Sequence, residues 1–178
     1  MNKTRRQKIK KWLQEDRVYL EKQKQEKYNS NVFENNKKYE KINNEESKEI
    51  LIRDIQNGKV SHAYLFSGIE GIGKKELALE FAKILLNTEN LATCVDFKYI
   101  DKLPDKKDII VEQVRDKIVN DVYVAPATCN YKVYVINDAH LMNSSAQNAL
   151  LKTLEEPPHY VVIILITHSE DELLTTVM

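Results

Sequence analysis

The sequence predicts an α/β fold: a parallel β-sheet with helices on both faces, preceded by a polar, helical N-terminal arm. Three observations carry this. The apolar run Ala63–Phe66 stops at Gly68, and Gly71, Gly73 and Lys74 follow before a helical pattern begins. Strand, glycine loop and helix in that order are the context that a G-x-x-x-x-G-K phosphate-binding loop requires. Two later runs, from Lys132 and from Val161 to Ile166, are almost continuously apolar, as strands covered on both faces are. Four such strands alternate with helical patterns, which implies parallel pairing in a doubly wound sheet.

Taken in order, residues 1–42 are rich in Lys, Asn, Gln and Glu and contain no Gly or Pro. Ile9, Trp12, Leu13 and Leu20 make a thin helical stripe. Such an arm reads either as a solvated extension or as a basic helix that touches nucleic acid through phosphates. A compact domain, 43–178, starts at Asn43-Asn-Glu-Glu46, where a capping box opens a helix with Ile50, Leu51 and Ile55 on one face. Asn57-Gly58 ends it. After the glycine loop, Ala78, Phe81, Ala82, Leu85 and Leu86 share one side of the next helix. Val95–Ile100 reads as a second strand, and a helix from Asp108 groups Val111, Val114 and Ile118 before Pro126. The strand from Lys132 ends in Asn137-Asp138-Ala139-His140, polar groups at the carboxyl end where parallel sheets bind ligands. Ser144-Ser-Ala-Gln147 caps a helix burying Ala146, Ala149, Leu150, Thr153 and Leu154, and Pro157-Pro158 stops it. Val161–Ile166 is the last strand, with Thr167, His168 and Ser169 at its tip.

The 178 residues carry no net formal charge, yet the charge is divided. Residues 1–30 hold ten lysines and arginines against four acids, so a +6 arm stands beside a remainder of −6. No apolar run is long enough to span a membrane, and the charged N-terminus lacks the apolar core of a signal peptide. Cys94 and Cys129 are too few for a four-ligand zinc site, and a reduced, cytoplasmic setting is expected.

The loop's chemistry is readable residue by residue. Gly68, Gly71 and Gly73 let the backbone turn its N–H groups toward a phosphate, and Lys74 adds a full charge. The following helix points its positive end at the same place. The motif then wants Ser or Thr, whose hydroxyl binds Mg²⁺, and Lys75 stands there instead. A charged lysine has no lone pair for a metal. The plain alternative is a glycine turn that merely joins strand to helix. His62 is expected to pack at the strand entry, His140 to cap the loop region, and His159 to lie on the surface.

Asn148-Ala-Leu-Leu-Lys-Thr-Leu-Glu-Glu-Pro-Pro158, with Ser61-His-Ala-Tyr-Leu-Phe66 and Val133-Tyr-Val-Ile-Asn-Asp-Ala-His140, resembles bacterial clamp-loader subunits of the AAA+ class of P-loop NTPases. The likeness runs from about Tyr39 to Met178. It is greatest to the delta-prime subunit of DNA polymerase III and second to the ATP-hydrolysing gamma/tau subunit. In the hydrolysing subunits the strand after the loop helix ends in an Asp-Glu pair that directs Mg²⁺ and water. Asn137 and Asp138 occupy those places here, a degenerate Walker B pair with no competent catalytic residue expected. The resemblance therefore implies a largely non-hydrolysing scaffold subunit. Gly68, Gly71, Gly73, Lys74 and Lys75 are its nucleotide-contacting residues, and Thr167 and His168 its sensor-like ones. Weak ATP or ADP binding is expected, with no required cofactor, no metal and no zinc. The Cys-rich zinc module that relatives carry between the first loop helix and the second strand is reduced here to Cys94. Implied partners are the other clamp-loader subunits, gamma/tau and delta, and the polymerase III holoenzyme. DNA would be met indirectly through the basic arm, and no membrane is involved. An ATP-hydrolysing gamma/tau role, or an unrelated nucleotide-binding protein using the same loop, is the alternative. Leu173–Met178 matches the approach to a Ser-Arg-Cys arginine finger that would follow it, so a fragment or truncated product is expected.

Overall fold

The computed structural model of the chain describes residues 44–169 and Leu173. The basic arm and the approach to the arginine-finger position lie outside the described residues. Within them, α1 (Asn44–Asn57) leads into β1 (Ala63–Ser67), and α2 (Lys74–Leu86) into β2 (Phe97–Ile100). A short helix α3 (Val111–Val114) runs on into a π-helical turn, Arg115–Val119. Then come β3 (Lys132–Ile136), α4 (Ser144–Glu155) and β4 (Val161–Thr167). The four strands make one sheet in the order β1-β4-β3-β2, every neighbouring pair parallel.

The two apolar layers follow from the period-two alternation of strand side chains. Val133 and Val135 of β3, with Val162, Ile164 and Ile166 of β4, face α1 and α2. Their alternates Tyr134, Ile136, Ile163 and Leu165 face α3, the π turn and α4. Every residue of β3 and β4 is buried, which is why these strands read as unbroken apolar runs. On the edge, β1 is only half-buried and leaves Leu65 and Ser67 exposed.

Helix α2 buries the five side chains expected of it, and Leu77 and Ile84 besides. Several expected details differ. In α1, Ile50 is exposed, and Ile52 joins Leu51 and Ile55 in the core. Its end is as read: Gly58 takes φ +67°, and the Lys59 N–H donates to the Asp54 carbonyl at 2.9 Å, closing the helix. The cap of α4 sits one residue earlier than the Ser144 box, because the Asn143 side chain accepts the Ala146 N–H at 2.8 Å. The third helical segment is not one α-helix. Its Asn120 N–H reaches back five residues to the Arg115 carbonyl. That wider turn keeps Val114, Ile118 and Val122 all over the sheet. A regular helix would drift by about 40° at each such four-residue step.

Strand β2 starts at Phe97, two residues later than the apolar pattern suggests, because Asp96 is committed elsewhere. Its buried carboxylate accepts N–H bonds from Ala127, Thr128 and Cys129 at 2.7–2.9 Å, and the Thr128 hydroxyl at 3.0 Å. Burial alone would raise this carboxyl's pKa, and the four donors overcome it, holding the group down to about 2. Because the folded value lies below the unfolded one, Asp96 stabilises the fold fully above about pH 4. That contribution is lost as pH falls toward 2. Asp96→Asn is expected to cost about 2 kcal/mol at pH 7 and progressively less below pH 4, read from urea titrations at several pH values. A cost that does not change with pH would show that the side chain's shape, not its charge, holds the turn.

Candidate functional site

The sheet order places the carboxyl ends of β1, β4 and β3 side by side, and the polar residues of interest lie at those ends. The register pairs Ser67 with Thr167 and Ile136 with Leu165, so the tips of three strands converge although β1 and β3 lie far apart in the chain.

The loop after β1 has the shape its glycines demand. Gly68, Gly71 and Gly73 adopt φ of +149°, +79° and +86°. A Cβ on Gly68 would lie 2.8 Å from Ile72 Cδ1, the movable end of a side chain, so conformation more than space selects glycine there. Gly73 caps α2 in the left-handed conformation, and the helix ladder starts with the Leu77 N–H on the Gly73 carbonyl at 3.0 Å. The amides of Lys74, Lys75 and Glu76 precede that ladder, at the positive end of a 13-residue helix. Lys74 Nζ donates to the carbonyls of Gly68 at 2.7 Å and Ile69 at 2.8 Å, folding the ammonium over the loop. Burial lowers this lysine's pKa, while the nearby Asp138 and Glu70 carboxylates oppose the shift. The cation thus stands at the mouth of an amide-lined turn, where an anion would find both.

Lys75 is directed elsewhere. Its Nζ lies 5.2 Å from the centroid of the Tyr99 ring. The Tyr99 hydroxyl is the main cause of an upward pKa shift, with Asp101 and Glu76 adding to it. The position where the motif carries a metal-binding hydroxyl therefore holds a cation beside β2.

At the end of β3, the Asn137 N–H continues the sheet by donating to the Ile100 carbonyl at 2.9 Å. Its side-chain amide donates to Asp138 Oδ2 at 2.9 Å and to Asp101 Oδ2 at 3.4 Å. Asp138 has φ +47°, a strained conformation for a residue with a side chain, and it turns the chain into the following 3₁₀ turn, Ala139–Leu141. His140, expected to cap the loop region, is buried there. Its Nδ1 lies 3.2 Å from the hydroxyl of the fully buried Thr167. The exposed His168 meets His140 edge to face, ring centroids 3.9 Å apart. His62, expected to pack at the strand entry, is exposed, and its carbonyl accepts the Ile163 N–H at 2.8 Å. His159 lies at the surface as expected.

The structure thus brings the glycine loop, Lys74, Asn137, Asp138, Thr167 and His168 to one end of the sheet. It sets Lys75 to one side, gives His140 a buried partner in Thr167, and adds Tyr99 and Asp101 to the residues named from the sequence. The sequence places His140 near the loop but gives no sign of its partner. Only the β4–β3 adjacency brings it to Thr167.

A parallel sheet covered on both faces, with a glycine loop leading from its edge strand into a helix, is an AAA+/P-loop-type fold. A family model described as "DNA polymerase III, delta subunit" matches residues 42–178. The chain belongs to the family of bacterial DNA polymerase III clamp-loader subunits, which embraces gamma, tau and delta. It is 37% identical to DNA polymerase III subunit tau of Escherichia coli, over 72% of this chain and 22% of the relative. With subunit gamma of Buchnera aphidicola it shares 34% identity, over 71% of this chain and 39% of the relative. Among solved structures, a DNA polymerase III gamma subunit-related protein of Thermotoga maritima superposes with a TM-score of 0.61 at 29% identity, covering 71% of this chain and 42% of that one. The Bacillus subtilis DNA clamp loader delta protein shares the fold, with a TM-score of 0.53 at 14% identity, over 72% of this chain and 38% of that one. The chain spans about two fifths or less of these curated relatives' length. Among the described residues no helix is long and apolar enough to cross a membrane.

Proposed function

We propose that this chain is the nucleotide-binding region of a clamp-loader subunit of gamma/tau descent, which holds ATP or ADP in its glycine loop and turns it over slowly. The gamma/tau descent rests on the likeness to those subunits, 37% identity over 72% of this chain with tau of Escherichia coli. The single observation that carries the slow turnover is the disposition of Lys75, whose cation sits beside Tyr99 where the loop's metal-binding hydroxyl belongs. Asn137 compounds it by offering an amide in place of a carboxylate. Phosphoryl transfer leans on the metal to neutralise developing charge, and Lys74 alone neutralises only part of it. The proposed partners are other clamp-loader subunits and the polymerase III holoenzyme, with the basic arm meeting DNA and the whole acting in the cytoplasm.

A second reading, a stationary delta-prime subunit without hydrolysis, draws on the same two departures. Phosphate release separates them: a slow but measurable single turnover on bound ATP fits the first reading, and none over hours fits the second. The first reading requires that the loop bind nucleotide. Lys74→Ala should weaken binding of a fluorescent ADP analogue at least about tenfold, the worth of one charge-assisted phosphate contact. Unchanged affinity in that variant would place the nucleotide elsewhere and reduce the loop to a turn.

A further inference from the structure

We infer that Asp138, His140 and His168 form a binding site for a divalent transition-metal ion of the zinc type at the rim of the glycine loop. One ligand atom from each of the three lies within 4.8 Å of the other two. Two imidazoles and a carboxylate are a borderline nitrogen–oxygen donor set, suited to Zn²⁺, Ni²⁺ or Co²⁺ and poorly suited to Mg²⁺, which prefers oxygen alone. Three protein ligands leave a fourth position of a tetrahedron for water or another donor.

The hydrogen bonds around Thr167 fix the form in which His140 is presented. A threonine hydroxyl has one proton to give and two lone pairs to receive with. Thr167 gives its proton to the Ser169 carbonyl at 2.9 Å and receives the Ser169 N–H at 3.0 Å. Its second lone pair is then the partner of His140 Nδ1 at 3.2 Å, which makes Nδ1 the protonated nitrogen. The ring's lone pair is accordingly on Nε2. A metal-binding imidazole is held in this way, its other nitrogen donating to a fixed acceptor that sets tautomer and orientation. Thr167 is fully buried, so the acceptor itself is immobile.

The surrounding charge allows a cation. Lys74 is the nearby cation, and the Glu70 carboxylate faces it as well as Asp138, while two carbonyls keep its ammonium over the loop. Asp138 is oriented by the Asn137 amide through Oδ2. The proposed site differs from the sequence expectation of no metal, which weighed the Mg²⁺ of hydrolysis and a cysteine-rich zinc module; of these three residues only Asp138 entered that reasoning. The site requires no nucleotide, so its test stands apart from the proposed function.

The test is a calorimetric titration of the 178-residue chain with ZnCl₂ alone, without nucleotide. Cys94 and Cys129 bring their sulfurs to 3.8 Å and offer zinc a competing pair, so the background is the Cys94→Ser/Cys129→Ser variant. One zinc per chain is expected, and excess Mg²⁺ should not displace it. His168→Ala removes an exposed ligand and should weaken binding at least about tenfold. Thr167→Val, which keeps the shape but removes the acceptor of Nδ1–H, should also weaken it about tenfold or more while His168 remains. Co²⁺ should develop a visible absorption band in the background protein and lose it in His168→Ala. Absence of zinc binding in a folded background protein would overturn the site. So would equal zinc affinity in the background and in His168→Ala.

Discussion

In the double variant Lys75→Thr/Asn137→Asp, Mg²⁺ is expected to tighten ATP binding by at least about tenfold, where the parent chain shows almost no dependence. The first change would return a hydroxyl to the first turn of α2, and the second a carboxylate to the end of β3. The second change also has a cost that can be read without nucleotide. Asn137 now donates to both Asp101 and Asp138, 3.4 and 2.9 Å away. A carboxylate in its place would bring three acids together with no donor among them, and such a cluster resists full ionisation. Asn137→Asp alone should therefore lower the melting temperature in EDTA and recover in Mg²⁺. Turnover should remain ~10²-fold below that of a competent site, because Asp138 is one methylene shorter than glutamate and a displacement of about 1 Å costs about that much. Restoration of fast hydrolysis by the two changes would mean that Asp138 is already well placed.

Asp121→Ala is expected to destabilise the domain by about 3 kcal/mol, measured by urea denaturation. Asp121 Oδ1 pairs with Lys132 Nζ at 2.9 Å, and Oδ2 accepts the Tyr134 hydroxyl at 2.8 Å. Burial would raise this carboxyl's pKa, but the Lys132 ammonium and the Tyr134 hydroxyl outweigh it and hold it below the usual value. Burial and the same carboxylate push the Tyr134 hydroxyl well up. Lys132 is only 4% exposed, so without the Asp121 carboxylate its ammonium keeps the main-chain carbonyl of residue 121, at 3.0 Å. The reverse change is milder. In Lys132→Met the carboxylate reaches water and keeps Tyr134, so a loss of about 1 kcal/mol is expected. Equal costs for the two variants would show that the Lys132 ammonium is better solvated than its burial indicates.

The strands were legible because β3 and β4 are covered on both faces and must be apolar throughout, and α2 because its buried face repeats at helical spacing. The glycine loop was legible because its glycines and lysine have a chemical reason for their order. What local pattern could not carry was committed to distant partners. Asp96 looks like the second residue of a strand, yet its carboxylate serves three amides some 30 residues away. The π-helical turn answers to the sheet beneath it, and its sequence reads as plain helix. Cys94 and Cys129 are 35 positions apart and meet at 3.8 Å, and the His140–Thr167–His168 group depends on β4 lying beside β3. That a lysine at position 75 offers a metal no lone pair follows from its chemistry alone, but its place beside Tyr99 required the position of β2. Two substituted residues favour a delta-prime branch, the family model over residues 42–178 is described as a delta subunit, and the Escherichia coli and Buchnera aphidicola relatives are tau and gamma, so the domain as a whole speaks for the family and not for one branch.

Equilibrium titration of the chain with ATP, once in EDTA and once in excess Mg²⁺, tests most directly whether the loop binds nucleotide without directing a metal. Affinities within about threefold of each other are expected, since Lys74 and the amides at the start of α2 are present in both buffers and neither Lys75 nor Asn137 offers a hydroxyl or carboxylate to draw the ion to the phosphates. Binding that Mg²⁺ strengthens by a factor of ~10² or more would contradict this account, because the metal would then be held in spite of Lys75 and Asn137.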